Sequence, residues 1–449
     1  MPVTWTSPGN FSTARPGSDR ADLAGGQRYG ADVTVELDGP AELEFARYLR
    51  SGDTVAWSQA CGEPLSLTEA LMAQRASISG VRCFLGIPCT DTVRPEHADH
   101  LRFTSYSGAG PNQALLGAGV LEIVPCHYSA LPATLSSGPL RADAVLLALP
   151  PARPDGSYGL GLSADYIRAL IGSARVVLAE VSDQIPDVGC AQPLAASDLD
   201  VVVRTSRPPA HYHQARPVQA AEAAIAALVA DLVQDGATLQ LGIGSMPSAV
   251  LHALAGHRDL GVHSGMITDA MADLIETGAV TGARKTADRG QVVTGFLMGT
   301  SALIDHAARN RAVLLRDTRY THDPAVLAAQ HRLTAINAAI EVDLTGQINT
   351  ETIGGRYVGA VGGAADFMRG AATSPGGIAI TVLPSTAGSA SRIVARLSGP
   401  ASVSRSDAGV IVTEHGIADL RGQSLAERQR RMLAIADPAH RATLATQLA

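Results

Sequence analysis

The sequence predicts an α/β fold: two similar open α/β domains on mostly parallel sheets, with an active site at their interface. Three observations carry this. Apolar β-like runs alternate with helix-period segments along most of the chain. The 449 residues are too many for one ordinary domain and suit two of about 200 residues each. The stretch 204–218, "RTSRPPAHYHQARPV", is rich in Pro and Arg, lacks a hydrophobic period, and separates two halves that show the same alternation. The expected organisation is a flexible tail at 1–30, a first domain at 31–210 and a second at 219–449.

In the first half, "DTVAWSQA" (53–60) reads as a strand and "LSLTEALMAQRAS" (65–77) as the helix after it. "ADAVLLALP" (142–150) is a second strand, and the helical "ADYIRALIGSA" (164–174) leads into the strand "RVVLAEV" (175–181). After the linker come a helix over 220–234, the strand "TLQLGIG" (238–244), the helix "MPSAVLHALAG" (246–256) and the strand "LGVHS" (260–264). A helix over 268–277 follows, with Thr268 or Asp269 as its cap. Later strands are "QVVTGFLMG", "RAVLLRD", "IAITVLP" and "AGVIVTEH". Strands alternating with helices imply parallel sheets covered on both faces.

Composition narrows the function. Apolar residues make up 46% and charged residues 17%, enough for large cores and too apolar for general disorder. The net charge of −7, with no basic run, argues against a nucleic-acid partner. Lys285 is the single lysine, so an anion clamp would have to use arginine, helix N-termini or Lys285. The five cysteines are scattered without C-x-x-C spacing, which indicates neither a zinc site nor a disulfide framework. No signal peptide or membrane-length apolar run is present, and a cytoplasmic protein is expected.

Two glycine-rich stretches stand out. "LGIGSMPSAVL" (241–251) places a G-x-G turn before a helix with Pro247 near its first turn, and it reads as a tight βα turn or a ligand loop. It lacks the third glycine of a dinucleotide fingerprint. "ETIGGRYVGAVGGAADF" (351–367) holds five glycines, whose N–H groups form either an oxyanion hole or a structural Ω-loop.

Taken together the motifs resemble the acetyl-CoA hydrolase/transferase family, which includes 4-hydroxybutyrate and butyrate–acetate CoA-transferases. The similarity runs in order through "ACGEP", "EVSDQIP", "LGIGSMPSAV", "LGVHSGM", "EVDLTGQINTETIGG", "GGAADFMRGA", "SPGG", "LPSTA" and "VTEHGIADLRG". It implies two CoA-transferase domains, a homodimer or higher homo-oligomer, and coenzyme A or acyl-CoA as substrate rather than a permanently bound cofactor. By motif match, Gly242, Ile243, Gly244, Ser245, Met246, Gly362, Gly363, Thr386 and Gly388 would lie along the coenzyme.

One position departs from the family. Where its "HSEM" motif carries a glutamate, the covalent nucleophile of a ping-pong cycle, this chain has Gly265. Ala364, the Gly388-Ser389-Ala390 segment and Ala130 also replace polar or charged residues of the family pattern. The expectation is therefore direct acyl transfer: an amine or hydroxyl acceptor attacks a bound acyl-CoA thioester without a glutamyl-CoA intermediate, in specialised metabolism. His127 in "PCHYSALP" is the better candidate for a base, while His263 reads more readily as structural. Cys126 reads as an inert thiol, Cys61 and Glu63 as structural or pocket-lining, and His415 adds little. The alternatives are a CoA-transferase or hydrolase using water or another carboxylate, and a non-catalytic acyl-CoA-binding protein.

Overall fold

The computed structural model describes residues 34–212 and 217–447. The predicted tail at 1–30 and part of the linker lie outside the described residues. Two eight-stranded sheets form the framework, one in each half.

The first sheet is parallel throughout. Its order is Val35–Leu37, Val201–Thr205, Val176–Ser182, Ala144–Leu149, Thr54–Trp57, Arg82–Leu85, Arg102–Ser105, Leu121–Ile123. The second runs Val313–Leu315, Val292–Thr294, Gly261–His263, Thr238–Leu241, Leu333–Ala338, Ile378–Val382, Val410–Thr413, Gly416–Asp419, and only its last pair is antiparallel. Strands such as Ala144–Leu149 are buried along their whole length, which is why they read as unbroken apolar runs. Both sheets share one layout. From a central strand (Thr54–Trp57 or Thr238–Leu241) the chain adds three strands to one side, then returns to the other. Each sheet thus has a switch point, where crevices form at the strands' carboxyl ends.

Buried polar groups join helix to sheet. Helix Leu65–Ala73 has no side-chain cap of its own after Pro64. Glu180, buried on strand Val176–Ser182, instead accepts from Ser66 N and Ser66 Oγ, both at 2.7 Å, and so satisfies the helix start. The predicted helix 268–277 is Asp269–Glu276. Thr268 is its N-cap but makes no side-chain cap bond, while Asp269 accepts from Thr300 N and Thr300 Oγ1.

Backbone hydrogen bonds hold the halves together. Gly295 O accepts from Ala164 N and Asp165 N, Leu297 N donates to Leu162 O, and Thr318 N donates to Asp165 O. On the opposite flank Gly108 N donates to Gly359 O, and Tyr128 N to Gly362 O. One apolar core runs through both halves, from Phe84 and Leu147 to Leu239 and Ile336. Among the described residues, no helix is long and apolar enough to cross a membrane.

Candidate active site

A cavity of about 250 Å³ lies where the carboxyl ends of both sheets meet. The first half contributes Tyr106 and Tyr128 from segments beyond its strands. The second half contributes Leu241 at the end of its central strand, Gly242 and Ile243 just after it, and Asn337 and Ala338 from the strand across the switch point. Gln240 and Asn337 face each other there through reciprocal amide hydrogen bonds of 3.1 and 3.3 Å. Two buried amides that satisfy each other leave a polar wall without charge.

Glycines make the remaining wall. Gly362 has φ +59°, a left-handed conformation that favours glycine, and the following Gly363 caps helix Ala364–Thr373. Gly265 follows strand Gly261–His263 and precedes the short strand Met266–Ile267, which pairs with Phe296–Leu297. Its backbone is not left-handed, so the missing side chain matters for space. A Cβ at position 265 would stand 3.0 Å from His322 Cε1, and one at 363 only 2.6 Å from His322 Nε2. The two glycines make room for the edge of one imidazole.

His322 stands between helices Thr318–Thr321 and Pro324–Ala329, just before Asp323, which caps the second of these by accepting from Ala325 N and Val326 N. Its ring lies between Tyr128 and Phe367, with centroids 4.8 and 4.6 Å away. Nδ1 is 2.9 Å from Thr321 Oγ1. Nε2 has no hydrogen-bond partner among the described residues, and the ring borders the cavity. Burial pushes its pKa down to about 3, so the ring is neutral at physiological pH.

Behind Tyr128 the first half is filled. Gln59 Nε2 donates to Tyr128 Oη (2.6 Å) and to Asp165 Oδ2 (2.8 Å), and Gln59 Oε1 accepts from Tyr106 Oη and Ile87 N, both at 2.9 Å. Asp165 is fully buried, and its pKa is raised to about 6 by desolvation, which its hydrogen bonds only partly offset.

Of the residues singled out from sequence, Gly242, Ile243, Gly265, Gly362, Gly363 and Ala364 border this cavity. The others lie elsewhere. His127 bridges to Gly362 through its backbone, but its half-buried side chain is not in the wall, and its Nδ1 is buried without a partner among the described residues. His263 is wholly buried, with Nε2 3.1 Å from Thr321 O, and burial lowers its pKa to about 4. Gly244, Ser245 and Met246 open helix Ser245–Ala253, where Ser245 Oγ donates to Glu222 Oε1 at 2.7 Å. Thr386 and Gly388 belong to a small hairpin. Lys285 is not available as an anion clamp: it is buried, donating to the carbonyls of Val262 (2.8 Å) and Gln291 (2.9 Å).

Sequence reasoning missed His322, Gln59, Asp165 and both tyrosines. The one local signal near His322 is "HDP", which reads as a helix start and says nothing of chemistry.

Comparison with known proteins agrees with this architecture. The acetyl-CoA hydrolase/transferase N-terminal domain matches residues 40–207 and the C-terminal domain of the same name matches 299–448. The chain is 34% identical to the 4-hydroxybutyrate coenzyme A transferase of Clostridium kluyveri, over 87% of this chain and 92% of that protein. It is 32% identical to the succinyl-CoA:cyclohexane-1-carboxylate CoA transferase of Geobacter metallireducens, over 90% and 93%. The crystal structure of RipA from Yersinia pestis superposes with a TM-score of 0.85 at 31% identity, covering 92% of this chain and 96% of that one. That of a 4-hydroxybutyrate CoA-transferase from Porphyromonas gingivalis gives 0.77 at 30% identity, covering 92% and 97%.

Fold and site thus define a two-domain enzyme of the CoA-transferase type. The chain belongs to the acetyl-CoA hydrolase/transferase family.

Proposed function

We propose that this enzyme transfers an acyl group from a coenzyme A thioester directly to an amine or hydroxyl acceptor, with no acyl-enzyme intermediate. The observation that carries the proposal is the composition of the cavity wall. Among the described residues it contains no Asp, Glu, Cys or Lys. A transferase working through a glutamyl anhydride needs a carboxylate at the reacting carbon. Gly265, at the motif position of the family's glutamate, cannot supply one, and the nearby Asp165 is engaged by Gln59 and Ser163.

A thioester is already activated, so a site that holds donor and acceptor together supplies much of the acceleration by proximity. The N–H groups opening helix Ala364–Thr373, at Gly363 and Ala364, border the cavity and are suited to an oxyanion. Thr386, Gly388 and the turn 242–246 are assigned to the coenzyme by motif.

The test is a panel of acyl-CoAs incubated with the full chain, with and without primary amines and alcohols, read by thiol release and intact mass. Direct transfer predicts free CoA only when an acceptor is present, with the protein mass unchanged. A stable acyl or CoA adduct overturns it in favour of a covalent transferase. Release to water alone supports a hydrolase instead, and binding without turnover a non-catalytic protein.

A further inference from the structure

We infer that His322 is the proton carrier of this transfer, taking the acceptor's proton at Nε2 and returning it to the departing CoA sulfur. The inference rests on the direct-transfer reading above and adds to it the catalytic base. His322 is the only imidazole in the cavity wall among the described residues, and the other titratable side chains there are Tyr106 and Tyr128. Both phenols are fully buried, and burial raises their pKa values well above 10. Neither can serve as a base near neutral pH.

Geometry prepares the ring. Tyr128 and Phe367 fix its plane. Thr321 Oγ1 lies within 3.4 Å of Asp317 O. A threonine hydroxyl has one proton, and with that proton turned toward Asp317 O its oxygen accepts from His322 Nδ1–H. The lone pair of the imidazole is then on Nε2, beside Gly265 and Gly363. That edge is next to the first N–H groups of helix Ala364–Thr373, so base and oxyanion donors are neighbours.

The step balances without a further reactant. The acceptor nitrogen or oxygen bonds to the thioester carbon, and its proton passes to Nε2. The C–S bond breaks, and the imidazolium protonates the thiolate, giving amide or ester and free CoA–SH. The imidazole takes the proton once bonding to carbon has made the acceptor acidic, and the imidazolium then gives it to sulfur.

The test uses the full chain with the donor and acceptor that turn over fastest in the panel above. His322→Gln is expected to lower kcat by about a hundredfold or more, within the usual range for a lost general base, while KM for the acyl-CoA changes less than about threefold. A variant within about threefold of wild type in kcat overturns the role of His322 and leaves direct transfer standing. An adduct on the wild type overturns the reading beneath it, so the two failures are distinct. Should the variant not fold, a neutron structure of the wild type decides: a bare Nε2 and a protonated Nδ1 are expected, and a proton on Nε2 overturns the inference.

Discussion

The two halves share the order of seven strands, differ in the eighth (parallel Val35–Leu37 in one, antiparallel Gly416–Asp419 in the other), and treat their switch points in opposite ways. In the first half the crevice beyond Thr54–Trp57 is packed with side chains, and about 20 Å³ remains beside Gln59 and Glu63, room for about one water. In the second half the equivalent crevice beyond Thr238–Leu241 stays open at about 250 Å³. The difference lies in residue types at the strand ends. Gln59 spans four polar partners in one half, whereas Gly242, Gly265, Gly362 and Gly363 border open space in the other. A crevice that topology creates is not yet a site. It becomes one where small residues keep it open, and the filled twin then serves as the rigid wall that holds Tyr128 against His322.

The largest expected effect comes from breaking the filled side. Gln59→Leu keeps approximate volume but leaves Asp165, Tyr106, Tyr128 and Ile87 N each short of a partner. A buried group left unsatisfied costs about 1–3 kcal/mol, so a loss of about 3 kcal/mol or more is expected in urea unfolding. A loss below about 1 kcal/mol would mean that the network is not what closes this crevice.

A second effect concerns Glu63 at the edge of that small cavity. Desolvation raises its pKa from the ordinary 4.5 to about 7, against hydrogen bonds from Thr90 and Thr68. A raised carboxyl favours folding while protonated, so its contribution is full below pH 4.5 and is lost as pH rises to about 7. His263 and His322 act in the opposite sense. Their pKa values are lowered to about 4 and about 3, so their contribution is full above about 6.5 and is lost on acidification. These trends oppose each other in the wild type between about 4.5 and 6.5. Glu63→Gln removes one side of the balance. Its stability relative to wild type is expected to rise with pH across this window, by up to about 1.4 kcal/mol per pH unit. A difference independent of pH, in chemical denaturation at several pH values, would contradict the assignment.

Much of this architecture is legible in the residues. The runs 142–150, 175–181, 238–244 and 260–264 each cover all or nearly all of a strand, because strands buried on both faces must be apolar. Leu333–Ala338 is different: it is central in the second sheet but not apparent in sequence. Thr334 and Asn337 interrupt its apolar run, and Asn337 is there to meet Gln240 at the cavity. Polar residues inserted for a site blur the pattern that would reveal the strand. Gly265 stands out only against a family motif, since a glycine announces the space it leaves and not what fills it. His322 is remote in sequence from Gly265, and only folding brings them together. Lys285 errs the other way. Its rarity suggests a functional cation, yet it ties strand Gly261–His263 to the residue that precedes strand Val292–Thr294, through the carbonyls of Val262 and Gln291.

The smallest effect tests the open side itself. Gly265→Ala adds one carbon 3.0 Å from His322 Cε1, a contact that a shift of a few tenths of an ångström relieves. The backbone at 265 accepts alanine without strain, so the penalty falls on the imidazole, which is held between Tyr128 and Phe367 and cannot yield freely. A loss of about 1 kcal/mol of transition-state stabilisation corresponds to about a fivefold fall in kcat. Stability should stay within about 1 kcal/mol of wild type, since overpacking by one methyl beside an open cavity is cheaper than in a closed core. Transfer kinetics and urea unfolding on the same preparation separate the two quantities. Unchanged kcat would show that the position of His322 does not depend on the space at 265. A large stability loss with unchanged kcat would show that glycine here serves packing and not chemistry, and the contrast between the two crevices would reduce to one of volume.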